Sequence, residues 1–378
     1  MAKKKLLFFS IFIIIILVFV TIYNIIYKNN NIYLNNKDEA PNFISIMLEE
    51  TVGSGEYKVS KSNKWPSKGY VFNKEMSYCN NGSTLTWNEN DNSVSVNINK
   101  TDKCYVYFDI YQLTLAEYIK SQYTGTQGEN SLYYHNSTLT NGAGDNSYRY
   151  AGASDSVNNY ICLGSDATTC PDANLFRIIG VFGNQTKVIR AKSVGNQKWH
   201  TSESNTWSSS SLNAYLNGTY LTSLGTIAEK IATTTWKVGG GSGSNISASV
   251  PATAYKNEVG SSASTTIIDK KIGLMYVSDY GFEASPSAWT KILGDYDGTD
   301  ANGTSIKTIN WMYMGYNEWT ISRHSDNTNS AFFVNSTGNV LGSNVRSDNG
   351  VRPSFNLESS VKYVSGSGSM SDPVRVTD

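Results

Sequence analysis

The sequence predicts a mostly β, α+β protein held at a membrane by one N-terminal helix, and three observations carry that expectation. Short runs of alternating apolar and polar residues recur between Gly-, Asn- and Ser-rich turns, helical spacing is confined to brief segments, and a long uncharged apolar run stands near the N-terminus. Only 16% of the 378 residues are charged and the formal net charge is zero, which excludes the basic surplus of a nucleic-acid binder. The aromatic share of 12% argues against disorder throughout. Three scattered His and four Cys leave little material for a metal hydrolase, and no cofactor is expected. The length allows two or three domains.

Lys3, Lys4 and Lys5 precede the apolar run from Leu6 to Tyr27. As a helix it is about 33 Å long, enough to cross a hydrocarbon core of roughly 30 Å. Asn24-Ile25-Ile26-Tyr27-Lys28 offers no small-residue cleavage site, so an uncleaved signal-anchor is expected in place of a removed signal peptide. The lysine cluster puts the N-terminus in the cytoplasm and the chain beyond about residue 30 outside. The lipid bilayer is then the first partner, through residues 6–27. Setting aside Lys3, Lys4, Lys5 and Lys28 leaves 27 basic against 31 acidic residues, a mildly acidic exterior.

The cysteines fall as two sequence-local pairs, Cys79 with Cys104 and Cys162 with Cys170. An even count in an exported chain reads as disulfides, with buried free thiols as the other reading. Of three possible pairings the local one is expected. Neither pair has the C-x-x-C spacing of zinc or thioredoxin-like chemistry.

Residues 1–28 thus form a cytoplasmic tip and signal-anchor, and the Asn-rich residues 29–40 a stalk. Residues 41–110 read as a β-sandwich-like module, in which Ser83–Trp87 and Ser93–Ile98 alternate across the turn Asn88–Asn92 and Cys79–Cys104 staples the later strands. A short helix from Thr114 to Lys120, opened by a capping Thr, begins a connector over 111–150, and the Gly/Asn/Ser/Tyr-rich stretch 123–160 is expected to be irregular and packed by its own tyrosines. The C-terminal domain, 151–378, carries strands at Asn159–Gly164, Leu175–Phe182 and Lys187–Ala191, with a hairpin around Phe182–Gln185. Helices are expected at Ser211–Leu216 and Ser223–Ala232, a flexible loop at Gly239–Ser244, and a buried strand at Ile272–Ser278.

Several fragments of this domain resemble a known group in order. Trp207 with Ser211–Asn217 resembles the W-x-x-S-x-L-x-x-[WY]-L-N segment of uncharacterised bacterial surface domains distantly related to formylglycine-generating-enzyme and C-type-lectin-like folds. Ile272–Tyr280 looks like their central strand, Trp319–Arg323 is similar to their W-W-L-R-S signature, and Ala331–Val334 with Gly338, then Gly350–Phe355, is similar to their closing strands. The resemblance covers roughly 150–378. It implies an α+β fold with a twisted antiparallel sheet, short helices and a loop-rich variable face; with the apolar run and the lysine cluster, the chain is expected to be a single-pass protein of the bacterial membrane with its bulk outside. The resemblance implies no activity, since the architecture serves enzymes and binders alike. The late Cys pair of the formylglycine enzymes has no counterpart, because Cys162 and Cys170 stand at the domain's start, and His135, His200 and His324 share no motif.

The richest candidate site is the segment Asn310–Asn329. Tyr313, Tyr316 and Trp319 beside Asn317, Arg323, Asp326 and Asn327 combine stacking area with oriented polar groups, apt for a sugar or peptide. Trp311 and Trp319 are also read as core residues, and Arg323 and Arg352 as makers of internal hydrogen bonds. Asp295, Asp297 and Asp300 are a weak calcium candidate beside a plain polar-loop reading, since the EF-hand glutamate is replaced by Ile306. Trp87–Asp91 reads as a turn. Glu229, Asp269, Asp279 and Glu283 are expected to be solvated surface acids, with a glycosidase pair as the alternative. The glycine run 239–243 lacks the Lys-Ser/Thr of a phosphate loop. The function expected is cell-surface binding or adhesion to a glycan, cell-wall polymer or protein. An exported glycan-acting enzyme and a passive envelope component are the alternatives.

Overall fold

The structure is a computed structural model that describes residues 43–62, 65–66, 69–88, 93–97 and 101–377. The expected signal-anchor, the stalk and the turn residues 89–92 lie outside the described residues. Among the described residues no helix is long and apolar enough to cross a membrane. The protein is mostly β, with several sheets, and divides into two compact units at Gln112/Leu113.

The first unit contains β1 (Phe43–Glu49), β2 (Tyr57–Val59), β3 (Tyr70–Cys79), β4 (Thr84–Asn88), β5 (Ser93–Asn97) and β6 (Lys103–Ile110). Four strands form a sheet in the order β2-β1-β6-β3, and β4 and β5 make a separate hairpin. β1 and β6 run parallel, in register from Phe43 opposite Lys103 to Leu48 opposite Phe108. Alternation places Ile46, Val106 and Phe108 inward, and the hairpin covers them through Trp87, which stacks on Phe72 at 5.1 Å and meets Phe108 at 5.7 Å. Cys79 and Cys104 sit opposite each other on β3 and β6 and form a disulfide.

The second unit begins with α1 (Leu115–Ser121), whose capping box is complete: Thr114 accepts from the Glu117 amide, and the Glu117 carboxylate accepts from the Thr114 amide at 2.8 Å. The stretch expected to be irregular instead contributes β7 (Leu132–Tyr134) and β8 (Tyr148–Tyr150), which join the large sheet at β10. Its tyrosines do pack on one another, Tyr134 on Tyr148 at 4.5 Å. β9 (Tyr160–Cys162), β10 (Leu175–Phe182) and β11 (Gln185–Arg190) follow, with the hairpin at Phe182–Gln185 as expected. Cys162 is bonded to Cys170.

Next come β12 (Asn196–Lys198) and a helix that changes pitch. α2 (Ser211–Tyr215) passes through a π-turn at Leu216–Tyr220 into α3 (Leu221–Ser223), and the expected second helix is a 3-10 stretch, Gly225–Lys230. β13 (Thr234–Lys237), α4 (Pro251–Glu258), β14 (Ile267–Lys270) and β15 (Ile272–Gly273) lead to α5 (Val277–Phe282). The strand expected over Ile272–Ser278 is thus two residues long. All six residues of α5 are buried, so no polar face marks its helical period. β16 (Glu318–Arg323), β17 (Ser330–Val334), β18 (Val340–Asn344), β19 (Asp348–Gly350), β20 (Ser354–Asn356), β21 (Tyr363–Ser365) and β22 (Val374–Val376) close the unit.

The large sheet has the order β15-β20-β11-β10-β9-β22-β21 and the second sheet β12-β19-β16-β17-β18. Both are antiparallel except at β22–β9 and β16–β19. The glycine run 239–241, expected to be a flexible loop, is packed: the Gly241 amide donates to the Arg323 carbonyl at 3.2 Å, and a Cβ on Gly240, whose φ is +63°, would strike that carbonyl.

Candidate functional site

The segment 310–329 does not form one surface. β16 separates its two halves by about 17 Å of extended chain. At the near end the Tyr313 hydroxyl donates to the Ser336 carbonyl at 2.6 Å, Asn317 Oδ1 accepts from the Ser336 amide at 2.9 Å, and half-buried Tyr316 lies over Gly350. At the far end Arg323 donates to Asn205 Oδ1 at 3.2 Å, Asp326 pairs with His324 Nδ1 at 2.9 Å, and Asn327 Oδ1 accepts from the Asn329 amide. Trp319 is wholly buried, its indole N–H donating to the Gln197 carbonyl at 2.9 Å, so it presents no platform to a ligand. Trp311 is likewise core, and Arg352 makes a buried two-pronged contact with Glu318 at 2.5 and 2.9 Å.

Asp295, Asp297 and Asp300 do not converge. Asp300 spends one carboxylate oxygen on the amides of Asn302 and Thr304, while Asp295 and Asp297 are exposed. Among the described residues the one group of potential metal-ligand atoms that does converge is Cys79, Asp102 and Cys104, and its sulfurs are joined to each other.

The acids expected on the surface divide. Glu229 and Asp269 are exposed, but Asp279 and Glu283 are buried together on and beside α5. Around them gather Arg149, 2.7 Å from Asp145 and 3.6 Å from Asp279, and Lys187, 2.5 Å from Asp279. Burial, reinforced by Asp279, pushes the Glu283 carboxyl well above its ordinary range. Glu258, also buried, accepts from the amides of Val277 and Ser278 at 2.9 Å and from the Ser322 hydroxyl, yet burial still carries it up to about 7. A glycosidase pair must face a substrate cleft, and these carboxyls are sealed from solvent. Arg149, Lys187 and Glu258 carried no motif in the sequence, and their meeting is a tertiary fact.

An open cleft of about 370 Å³ lies elsewhere, between α1, the turn before β7, the loop before β9 and the loop between β21 and β22. Tyr118, Gln122, Asn130, Ser131, Asn158 and Ser367 shape it, with no charged side chain in its lining. Tyr118 is held flat against Tyr363 at 3.6 Å between ring centres. Asn130 and Ser131 both adopt left-handed backbone, φ 54° and 58°, uncommon for consecutive residues other than glycine, and the Asn130 side-chain Nδ2 donates to the Gln122 carbonyl at 2.8 Å. None of these residues was a sequence candidate. Four distant segments compose the cleft, and the one legible hint was the tyrosine-rich composition of 123–160.

Residues 183–359 match a family described as a domain of unknown function (DUF6273). The matched segment holds β16 to β20 and the Lys187–Asp279 contact, whereas every residue named above as shaping the cleft lies before or after it. No curated protein and no solved structure matches the chain.

Proposed function

We propose that the chain is an exported, membrane-anchored binding protein of the bacterial cell surface that takes an uncharged glycan or cell-wall polymer in the cleft beside Tyr118. The carrying observation is the lining: amides and hydroxyls around a tyrosine, without a charged group, offer oriented hydrogen bonds and apolar area to a neutral polyol. Two disulfides suit an oxidising exterior, the apolar run 6–27 supplies the anchor, and the resemblance to lectin-like folds agrees with recognition by loops. The buried acids favour binding over hydrolysis, because no carboxylate pair opens onto this cleft.

The test is a glycan and cell-wall array probed with the full chain, followed by titration of the best ligand. Asn130→Gly keeps the left-handed backbone while removing the amide, and Asn158→Ala removes a second polar wall. Each is expected to weaken binding about tenfold, or about 1.4 kcal/mol, while Tyr316→Ala leaves it unchanged. Retained affinity in both cleft variants, or release of sugar by the wild type, overturns the proposal.

A further inference from the structure

The buried charges around α5 have a chemistry of their own, independent of the cleft. Lys187 on β11 and Asp279 on α5 come from segments far apart in sequence, and both are almost wholly removed from solvent. Their Nζ and Oδ2 atoms are 2.5 Å apart. The rings of Tyr276, Trp236 and Phe182 enclose the amine at 4.7, 5.5 and 5.7 Å from their centroids. An amine pressed on a carboxyl in a dry apolar pocket has lost the hydration that keeps the two apart in water, and the fold supplies the proximity that makes an intramolecular reaction fast.

Two neighbouring groups carry buried polar atoms that are otherwise unexplained. Arg149 Nη1 lies 3.6 Å from Asp279 Oδ1 and, among the described residues, has no hydrogen-bond partner despite complete burial. A guanidinium N–H waiting beside that oxygen is a donor for negative charge developing on it. Glu283 stands one helical turn beyond Asp279, with Oε2 accepting from the Trp311 indole at 2.6 Å and Oε1 buried without a partner. Buried polar atoms left unsatisfied are uncommon in folded proteins and call for an explanation.

We propose that Lys187 and Asp279 condense into an intramolecular amide that bolts β11 to α5. One proton passes from the ammonium to Asp279 Oδ2, the freed Nζ lone pair forms a bond to Cγ, and charge collects on Oδ1 beside Arg149. The Cγ–Oδ2 bond then breaks. Of the three ammonium protons one stays on the amide nitrogen, and two leave with Oδ2 as water. Glu283, kept protonated by its burial and by Asp279, relays protons from Nζ to the departing oxygen. The balance is ammonium plus carboxylate giving amide plus water, with no oxidant or cofactor.

The purified full chain should weigh one water less than its sequence with two disulfides requires. Trypsin cannot cleave at an acylated Lys187, so digestion should yield a branched peptide joining residues 178–190 to residues 272–291. Lys187→Arg keeps a cation beside Asp279 and should restore the full mass, and Glu283→Gln should leave the two residues uncoupled. A wild-type chain of full mass, cleaved by trypsin after Lys187, overturns the proposal and leaves an ordinary buried ion pair. A crosslink that persists in Glu283→Gln overturns the relay.

Discussion

The two units of this protein solve the problem of a sufficient core in opposite ways. The first surrounds three buried apolar residues, Ile46, Val106 and Phe108, with partly exposed aromatics and closes the arrangement covalently at Cys79–Cys104. The second buries one large cluster of aliphatic, tyrosine and tryptophan side chains and can afford to enclose charge, as at Arg352–Glu318 and around Arg149. A small unit gains from restricting its unfolded chain. A large one can desolvate ions, provided that each finds its partner.

That contrast can be broken most severely at Arg352. Arg352→Ala strands Glu318 in the interior and is expected to cost about 3–5 kcal/mol, lowering the calorimetric transition of the second unit and leaving that of the first in place. An intermediate effect is expected from Cys79→Ala with Cys104→Ala, about 3 kcal/mol for a staple closing a loop of this size, confined to the first unit and readable by limited proteolysis. If both units melt together in either variant, the contrast fails.

The smallest effect is a pH dependence of opposite sign in the two units. The Glu258 carboxyl is raised in the folded state, so its stabilising contribution is complete below its unfolded value near 4.5 and is lost as pH climbs through about 7. The second unit should therefore lose stability across that window, and Glu258→Gln should flatten the slope. In the first unit, burial alone would raise Asp102, but hydrogen bonds from Ser83, Asn81 and Lys103 outweigh it and hold the carboxyl at about 2. Its contribution is present above the unfolded value and disappears only as pH falls towards 2. Melting curves recorded from pH 2 to 8 check both signs.

What could be read from the sequence was what local chemistry decides. Thr114 and Glu117 announce their helix, Phe182–Gln185 its hairpin, and the cysteines their pairing, because each depends on neighbours in the chain. The helix Val277–Phe282 was hidden, since burial on every side erases the period that distinguishes helix from strand. The candidate surface expected at 310–329 is divided in two for a related reason. Tyr316 and Asn317 are near Asp326 in sequence, but an intervening strand is the straightest way to separate residues. The cleft was invisible because Tyr118, Asn130, Asn158 and Ser367 belong to four segments that only the folded chain assembles.

The parallel pairing of β1 with β6 carries a mechanical consequence. The first and last strands of the first unit lie side by side and point the same way, so the chain enters beside Phe43 and departs beyond Ile110, at opposite ends of the ladder. Tension drawn along the backbone would load that ladder in shear, with its rungs from Phe43–Lys103 to Leu48–Phe108 resisting together, instead of peeling them one at a time. A ladder so loaded yields only when all its rungs give way at once.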